Sequence, residues 1–257
     1  MNDLEMAAIT DPGVVRSNNE DCVSTDLKNG IAVLADGMGG HKAGEVASNM
    51  AIEVISRHLT DFLTKRSGAE AGQVLEPKFL REAIQLANTA IYEVSKSQPD
   101  CAGMGSTVVV AFFYGDIICV GHVGDSRVYR LRSNELAQLT EDHSVVQELL
   151  SRGLITQEEA QTAYNKNLVT RALGIEDTVN PDVRERVFRD SDLYLLCSDG
   201  LNDVLSDEMI GTLLLKYGND LGMAANRMVQ EVNNRGGPDN VSVILIRTGN
   251  EFERRTQ

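Results

Sequence analysis

Two apolar segments of this chain each end abruptly near an aspartate–glycine pair. Residues 31–35 run directly into Asp36, and residues 193–197 are followed, after one serine, by Asp199. Short runs of Ile, Val and Leu bounded by turn residues predict buried strands. Each aspartate then lies where a core strand leaves its sheet. An Asp-Gly pair alone is also typical of a hairpin turn, so the rest of the chain must decide between the two interpretations.

Two further aspartates occupy similar positions. Asp125 follows the strand-like run 117–123, and Asp239 precedes the apolar run 241–246. If these strand ends converge, four carboxylates share one site, and their repulsion requires protons or cations nearby. Oxygen ligands without His or Cys partners favour Mg²⁺ or Mn²⁺ over zinc. The pattern therefore indicates a candidate divalent-cation site.

A pair of such ions would suit the attack of a hydroxide on a phosphate group. Two ions can share a bridging water and make it hydroxide-like near neutral pH. That hydroxide could attack a phosphate in line, with Arg16 binding the free phosphate oxygens as a fork. The competing interpretation is four unrelated turn aspartates, which are common. The spacing alone leaves both interpretations open.

The charge balance limits the partners. The chain has 38 acidic and 24 basic residues and a formal net charge of −14. Such a surface repels nucleic acids and anionic membranes, so we expect neither as a partner. A phosphate-bearing substrate must be bound by a local positive feature, either a few arginines or metal ions.

The cysteines and the lengths of the apolar runs indicate where in the cell the protein is found. None of the four cysteines forms a C-x-x-C pair, no signal sequence is evident, and no apolar stretch approaches about 18 residues. We therefore expect reduced cysteines, no zinc site, and a soluble, cytoplasmic protein.

Helical and strand periodicities predict an α+β protein. Apolar spacing of three and four predicts helices at about 43–63 and 77–97, with a polar loop at 64–76 between them. Further helices are predicted at about 145–151, 206–217 and 220–234, and one from Thr156, where Glu159 three residues later completes a capping box. Tight turns between the runs 108–113, 117–123 and 127–131 imply antiparallel strands. We expect two packed sheets covered outside by helices, in one domain over residues 1–250 with a polar tail at 251–257.

Six short motifs together resemble a known family. They are Arg16-x-x-Asn19-Glu20-Asp21, Asp36-Gly37-Met38-Gly39-Gly40-His41, Gly105-Ser106-Thr107, Gly124-Asp125-Ser126-Arg127, Cys197-Ser198-Asp199-Gly200-Leu201 and Gly237-Pro238-Asp239-Asn240. This set resembles the metal-dependent protein serine/threonine phosphatases of type 2C, in their short bacterial form. The motifs follow the family's order and span nearly the whole chain.

The resemblance implies a fold and a metal centre. The fold would be a four-layer α-β-β-α sandwich, with a mobile flap at about 145–170. Two Mn²⁺ or Mg²⁺ ions would lie at one end of the sheets, and bacterial members often carry a third, weaker ion. The implied ligands are Asp36 bridging both ions, the Gly37 carbonyl, Asp199, Asp239, and Asp21 through a water, with Asp125 and Asp199 at the third ion.

The implied catalytic roles include one departure from the family. Arg16 would bind the substrate phosphate. Animal members carry a histidine directly after Asp-Gly, proposed as the general acid, whereas this chain has Met38 there. His41 and a metal-bound water are the candidates for that role, and we favour the water. His143, within a family-like Asp-His pair, is assigned a structural role.

The leading hypothesis is a phosphatase that removes phosphate from phosphoserine and phosphothreonine in proteins. It would act as a monomer on phosphorylated proteins and oppose a bacterial Ser/Thr kinase. The first alternative is a two-metal hydrolase of small phosphoesters. The second is a phosphoprotein-binding pseudophosphatase, which is disfavoured because Asp36, Asp199 and Asp239 are all present.

Overall fold

The chain forms two antiparallel sheets stacked between two layers of helices. A computed structural model describes residues 4–40, 43–66, 77–163 and 168–249. Within these ranges the strands are β1 Leu4–Asp11, β2 Asp21–Asp26, β3 Ile31–Met38, β4 Gly105–Ser106, β5 Val108–Tyr114, β6 Ile117–Val123, β7 Arg127–Arg132, β8 Glu135–Gln138, β9 Asp182–Val187, β10 Leu193–Cys197 and β11 Val241–Thr248. The α-helices are α1 Ala43–Arg66, α2 Lys78–Ser97, α3 Val145–Ser151, α4 Gln157–Thr162, α5 Asp199–Asn202, α6 Asp207–Tyr217 and α7 Leu221–Asn234.

The strand order places the ends of several strands side by side. One sheet has the order β1-β11-β10-β7-β8, and the other has β2-β3-β5-β6-β9 with β4 added beside β3. All of the strand pairings described are antiparallel. In an antiparallel pair the end of one strand lies beside the start of its neighbour. Residues that end β3 and β10 therefore meet residues that begin β2 and β11.

Three apolar cores hold the four layers together. One core lies between α1, α2 and the sheet that contains β3, and a second lies between α6, α7 and the sheet that contains β11. The third fills the space between the sheets. Strand β3 contributes to two of them, because Val33 faces the helices while Ala32 and Leu34 face the other sheet. A strand buried on both faces reads as a continuous apolar run, which explains the sequence before Asp36.

The predicted helices are present with small changes at their ends. Helix α1 continues to Arg66, so the predicted loop from residue 64 is wrong for three residues, and 67–76 lie outside the described residues. Helices α6 and α7 begin one residue late because Ser206 and Asp220 are their N-caps, accepting from the N–H of Met209 and Met223. The predicted capping box at Thr156 is also present.

Several short elements were not predicted. Strands β8 and β9 lie at sheet edges and carry little apolar patterning. The hairpin interpretation of Asp-Gly is wrong at both positions: Asp36 lies inside β3, and Asp199 opens helix α5.

The predicted flap is described over 145–163 and 168–170, where it contains α3 and α4. None of the described helices has the long apolar stretch that a membrane crossing requires.

Candidate metal centre

Two aspartates of one sheet face each other across a strand pair. Asp21 begins β2 and Asp36 lies near the end of β3, and the two are directly opposite in the antiparallel register. Side chains opposite each other on one face of a sheet have Cβ atoms about 5 Å apart. The register therefore brings two carboxylates together that are separated by fourteen residues of chain.

The other sheet contributes its carboxylates in the same way. Asp199 follows β10 and Asp239 precedes β11, which is its antiparallel neighbour. The Ser198 N–H donates to the Ser242 carbonyl at 3.2 Å and closes this pair of strand ends. Asp125 lies in the turn between β6 and β7, and β7 pairs with the other side of β10. Strand ends from both sheets thus meet at one end of the sandwich.

A cleft of about 500 Å³ opens where these strand ends meet. It contains most of the site residues that the sequence predicts, together with one acid that had no assigned role. The lining includes Arg16, Glu20, Asp36, Gly37, Met38, Asp125, Asp199 and Asp239. A second cleft of about 660 Å³ shares Asp125 and Asp199 with the first and extends between α3 and the start of α6.

Asp21 lies behind this cleft rather than in its lining. The residue is 7% exposed, and its Oδ2 accepts a hydrogen bond from the Ser198 hydroxyl at 2.7 Å. Its Oδ1 is buried and has no hydrogen-bond partner among the described residues. Burial raises the pKa of Asp21 to about 6, and the Asp239 charge adds to the shift.

The remaining carboxylates repel one another at close range. Burial raises the pKa of Asp36 well above its usual value, and the charges of Asp21 and Asp199 raise it further. The pKa of Asp199 is raised in the same way, by burial and then by Asp125. Burial also raises the pKa of Asp125 to about 6. Such a group of acids is stabilised by protons or by cations.

Gly37 allows α1 to approach the cleft closely. A Cβ atom at this position would lie 2.0 Å from the carbonyl oxygen of Gly44, in the first turn of α1. No other residue fits that space. The Gly37 N–H donates to the Glu20 carbonyl at 3.1 Å, which ties β3 to the loop that carries Arg16.

Arg16 extends over the cleft from the loop between β1 and β2. Its Nη2 donates to Asp239 Oδ2 at 2.7 Å, while 57% of the side chain remains exposed. This hydrogen bond to Asp239 raises the pKa of Arg16. The guanidinium is therefore a permanent positive charge at the rim of an otherwise acidic cleft.

Asn240 holds this loop in place, and sequence reasoning gave it no role. Its Oδ1 accepts from the Glu20 N–H at 2.8 Å. Its Nδ2 donates to the carbonyls of Pro12 and Asn18 at 3.0 and 2.8 Å. The only sequence signal was its position directly after Asp239. These three hydrogen bonds fix the Arg16 loop against the start of β11.

Two hydroxyl residues support the cleft from below, and both were quoted in motifs without a role. Thr107 Oγ1 accepts from the Asp36 N–H at 3.2 Å and shares a hydrogen bond of 2.8 Å with Ser126 Oγ. This pair links the strand that carries Asp36 to the turn that carries Asp125.

The candidates for the general acid are His41 and a metal-bound water, and only the first is a residue of the chain. His41 lies outside the described residues. Met38 lines the cleft at the position after Asp-Gly, and none of the described lining residues is a histidine.

Arg127, the last residue of the Gly124-Asp125-Ser126-Arg127 motif, binds another acid of the chain. Its Nε and Nη2 donate to the Asp142 carboxylate at 2.6–3.0 Å.

The residues of the cleft fit hard divalent cations. All of the acidic lining groups offer oxygen, which suits Mn²⁺ and Mg²⁺. The unpartnered Oδ1 of Asp21 gives a further acceptor behind them, and the Ser198 hydroxyl orients that carboxylate from outside, as supporting partners of metal ligands do.

The fold and the acidic cleft together suit a cation-binding protein, and comparison with known proteins gives the family. Residues 15–234 match the model of the family described as Protein phosphatase 2C. The chain belongs to this family, which confirms the resemblance found in the motifs.

Named relatives are bacterial. The serine/threonine protein phosphatase PstP of Mycobacterium tuberculosis is 42% identical over 94% of this chain, and the chain spans only 44% of that protein's length. The serine/threonine phosphatase stp of Listeria welshimeri is 38% identical, with 92% of this chain and 93% of the relative covered. The crystal structure of the PstP catalytic domain in complex with two manganese ions matches with a TM-score of 0.83 and 39% identity, covering 96% of this chain and 99% of that one. The predicted sandwich fold is therefore confirmed.

Proposed function

We propose that this chain hydrolyses phosphoserine and phosphothreonine in proteins with the help of divalent cations. The observation that carries the proposal is the convergence of four aspartates and one exposed arginine in a single cleft. The named relatives, two serine/threonine phosphatases, support the same activity.

The proposed cations are Mn²⁺ or Mg²⁺, two per chain with a third, weaker one. The first two ions would be held by Asp36, the Gly37 carbonyl, Asp199 and Asp239. Asp21 would act through a water. Asp125 with Asp199 would hold the third. When bound, the ions supply positive charge for the substrate phosphate and lower the pKa of a water molecule.

The chain's own residues bind and orient the substrate. Arg16 would place two N–H donors on the free phosphate oxygens, since a guanidinium matches the geometry of a phosphate. Asn240 would keep that arginine in place through the loop it fixes. The leaving group would take its proton from water, the candidate that we favour over His41.

The second cleft favours protein substrates over small phosphoesters. It adjoins the first at Asp125 and Asp199 and has a volume of about 660 Å³. That space would receive the residues on one side of a phosphorylated side chain, and a small phosphoester would leave it unused. The pseudophosphatase alternative is disfavoured because the carboxylates are both present and brought together.

We propose one domain over residues 1–250 with the flap at about 145–170. A cytoplasmic location is supported by the four cysteines, all described and all unpaired. We also propose that the chain acts as a monomer. A Ser/Thr kinase would supply the phosphorylated proteins that this activity consumes.

The test is phosphate release from a phosphothreonine peptide, with Mn²⁺ and with EDTA. We expect activity that requires metal and is lost in Asp239→Asn. The matched control is Asp61→Asn, an exposed aspartate on α1 outside the cleft. Mn²⁺ binding without hydrolysis of any phosphopeptide, but with hydrolysis of a small phosphoester, would favour the first alternative.

Substitution of Arg16 separates substrate binding from metal binding. In Arg16→Ala we expect KM for a phosphopeptide to rise by about tenfold or more, with a smaller fall in kcat, because hydrogen bonds to charged groups contribute about 1.5–3 kcal/mol. Mn²⁺ affinity should not fall, since the loss of the arginine leaves Asp239 without a competing partner.

Steady-state kinetics and calorimetry measure the two quantities. Arg57→Ala, an exposed arginine on α1, is the control. A fall in kcat larger than the rise in KM would assign Arg16 to the transition state instead.

A further inference from the structure

His143 is buried outside the clefts and contacts two segments that border them. Its side chain is 3% exposed. Its N–H donates to the Gly124 carbonyl at 2.9 Å, and the Gly124 N–H donates in return to His143 Nδ1 at 3.2 Å. Its carbonyl accepts from the Thr170 N–H at 2.7 Å. One residue therefore joins the turn before Asp125 to the returning end of the flap.

The hydrogen bond to Nδ1 decides where the ring proton lies. Burial, helped by the neighbouring His122, lowers the pKa of His143 to about 4, so the ring is neutral near pH 7. A neutral imidazole whose Nδ1 accepts carries its proton on Nε2. That Nε2 faces Asp182 Oδ2 at 3.4 Å, and it has no hydrogen-bond partner in the described part of the chain.

This proton also decides against a metal at the same place. His122, His143 and Asp182 offer ligand atoms within 4.8 Å of one another. His143, however, has Nδ1 occupied by a backbone N–H and Nε2 occupied by a proton. Arg171 adds a positive charge, with Nη1 3.6 Å from Asp182 Oδ1. His143 is therefore hydrogen-bonded to Gly124 through Nδ1 and approaches Asp182 through Nε2.

The backbone at Gly124 has little conformational freedom. Gly124 has a φ of +104°, and a Cβ there would lie 2.6 Å from the Cβ of Thr107. The next residue, Asp125, is 8% exposed and lines both clefts. Because the backbone fits so closely, the bonds that hold Gly124 also set the direction of the Asp125 carboxylate.

The flap end is tied to the same point. Ser144 and Val169 form an isolated bridge, and the Val145 N–H donates to the Leu168 carbonyl at 3.0 Å. Val169 lines the first cleft. A displacement of residues 168–170 would therefore be passed to His143 and from there to Gly124.

We propose that His143 is a positioning residue that couples the returning end of the flap to the Asp125 carboxylate through its Nδ1 and its peptide groups. The proposal deepens the proposed function, because it takes Asp125 as a ligand of the weaker cation. The order of residues 168–170 and the affinity of Asp125 for a cation should then change together.

Two substitutions of His143 isolate the Nδ1 bond. His143→Asn keeps an acceptor oxygen near the position of Nδ1, whereas His143→Gln keeps a donor near Nε2 and loses that acceptor. We expect the weakest Mn²⁺ equivalent, measured by calorimetry, to bind about tenfold more weakly or worse in the glutamine variant, as for other partners that orient metal ligands. The asparagine variant should stay closer to the wild-type protein.

Amide hydrogen exchange in EDTA gives a readout that needs neither metal nor activity. In His143→Gln we expect faster exchange at both 120–127 and 168–173, and in His143→Asn little change. Faster exchange in only one of the two segments would overturn the coupling. Equal effects of both substitutions would reduce His143 to a packing role.

Asp125→Asn separates this proposal from the one it rests on. If this variant keeps the weakest Mn²⁺ equivalent, the ligand role of Asp125 is wrong and the exchange data alone decide the coupling. If it loses that equivalent while His143→Gln keeps it, the coupling is wrong and the ligand role stands.

Discussion

Asp199→Asn should reduce turnover by more than about 100-fold, which is the upper end of the loss seen when only a supporting partner of a metal ligand is removed. The same change should raise the melting temperature of the metal-free protein. Asp199 is a buried carboxylate whose pKa is raised by burial and then by the charge of Asp125. An asparagine of the same shape removes that repulsion. Activity and metal-free stability should therefore change in opposite directions.

Phosphopeptide hydrolysis and thermal melting, each with Mn²⁺ and with EDTA, measure both effects. Asp61→Asn serves again as the control, since it removes the same charge from an exposed site. More than about a tenth of wild-type turnover in Asp199→Asn would exclude a ligand role. A lower melting temperature in EDTA would show that the carboxylate stabilises the metal-free fold.

Saturating Mn²⁺ should raise the melting temperature, and it should do so more at pH 7.5 than at pH 5.5. At about 100 times its Kd a ligand stabilises by roughly 2.7 kcal/mol, which for a chain of this length is about 5–10 °C. Burial raises the pKa of Asp21 and Asp125 to about 6, and that of Asp36 and Asp199 is raised well above its usual value. Protons therefore compete with the cation at the lower pH.

The sign of the metal-free baseline follows from the same shifts. A carboxyl with a raised pKa in the folded state binds more protons than it does in the unfolded chain. Its favourable contribution is present below the unfolded pKa and is lost as the pH rises through the folded pKa. His122 and His143, whose pKa values burial lowers, oppose this trend, but they lie outside the cleft lining.

Comparing the Mn²⁺-induced shift at the two pH values removes the contribution of these histidines. Calcium-free buffers with matched ionic strength are required, and Asp36→Asn should abolish the shift at both values. A shift that is equal at pH 5.5 and 7.5 would contradict the competition between protons and cations.

The elements that the sequence predicted well are those whose pattern is local. The apolar run before Asp36 is a strand buried on both faces, and such a strand needs no partner to be recognised. Ser206 and Asp220 mark the starts of α6 and α7 by bonds that span three residues. The motif aspartates could be assigned to strand ends for the same reason.

The elements that were missed depend on distant parts of the chain. Strand β9, Asp182–Val187, has mostly exposed residues and exists because β6 offers it an edge. The bond between Ser198 and Asp21 joins residues 177 positions apart. The roles of Asn240 and His143 likewise come from backbone groups of distant loops and turns that the fold brings to them. No local pattern records such contacts, which is why the supporting residues emerged only from the structure.

The position of the cleft has a mechanical consequence for the whole chain. Asp21 and Asp36 belong to one sheet, and Asp199 and Asp239 adjoin the other. Without cations, like charges push the two sheets apart at this end of the sandwich. A cation held between them replaces that repulsion with attraction. Occupancy of a site only a few residues wide would thus determine how firmly the two halves of the chain are joined.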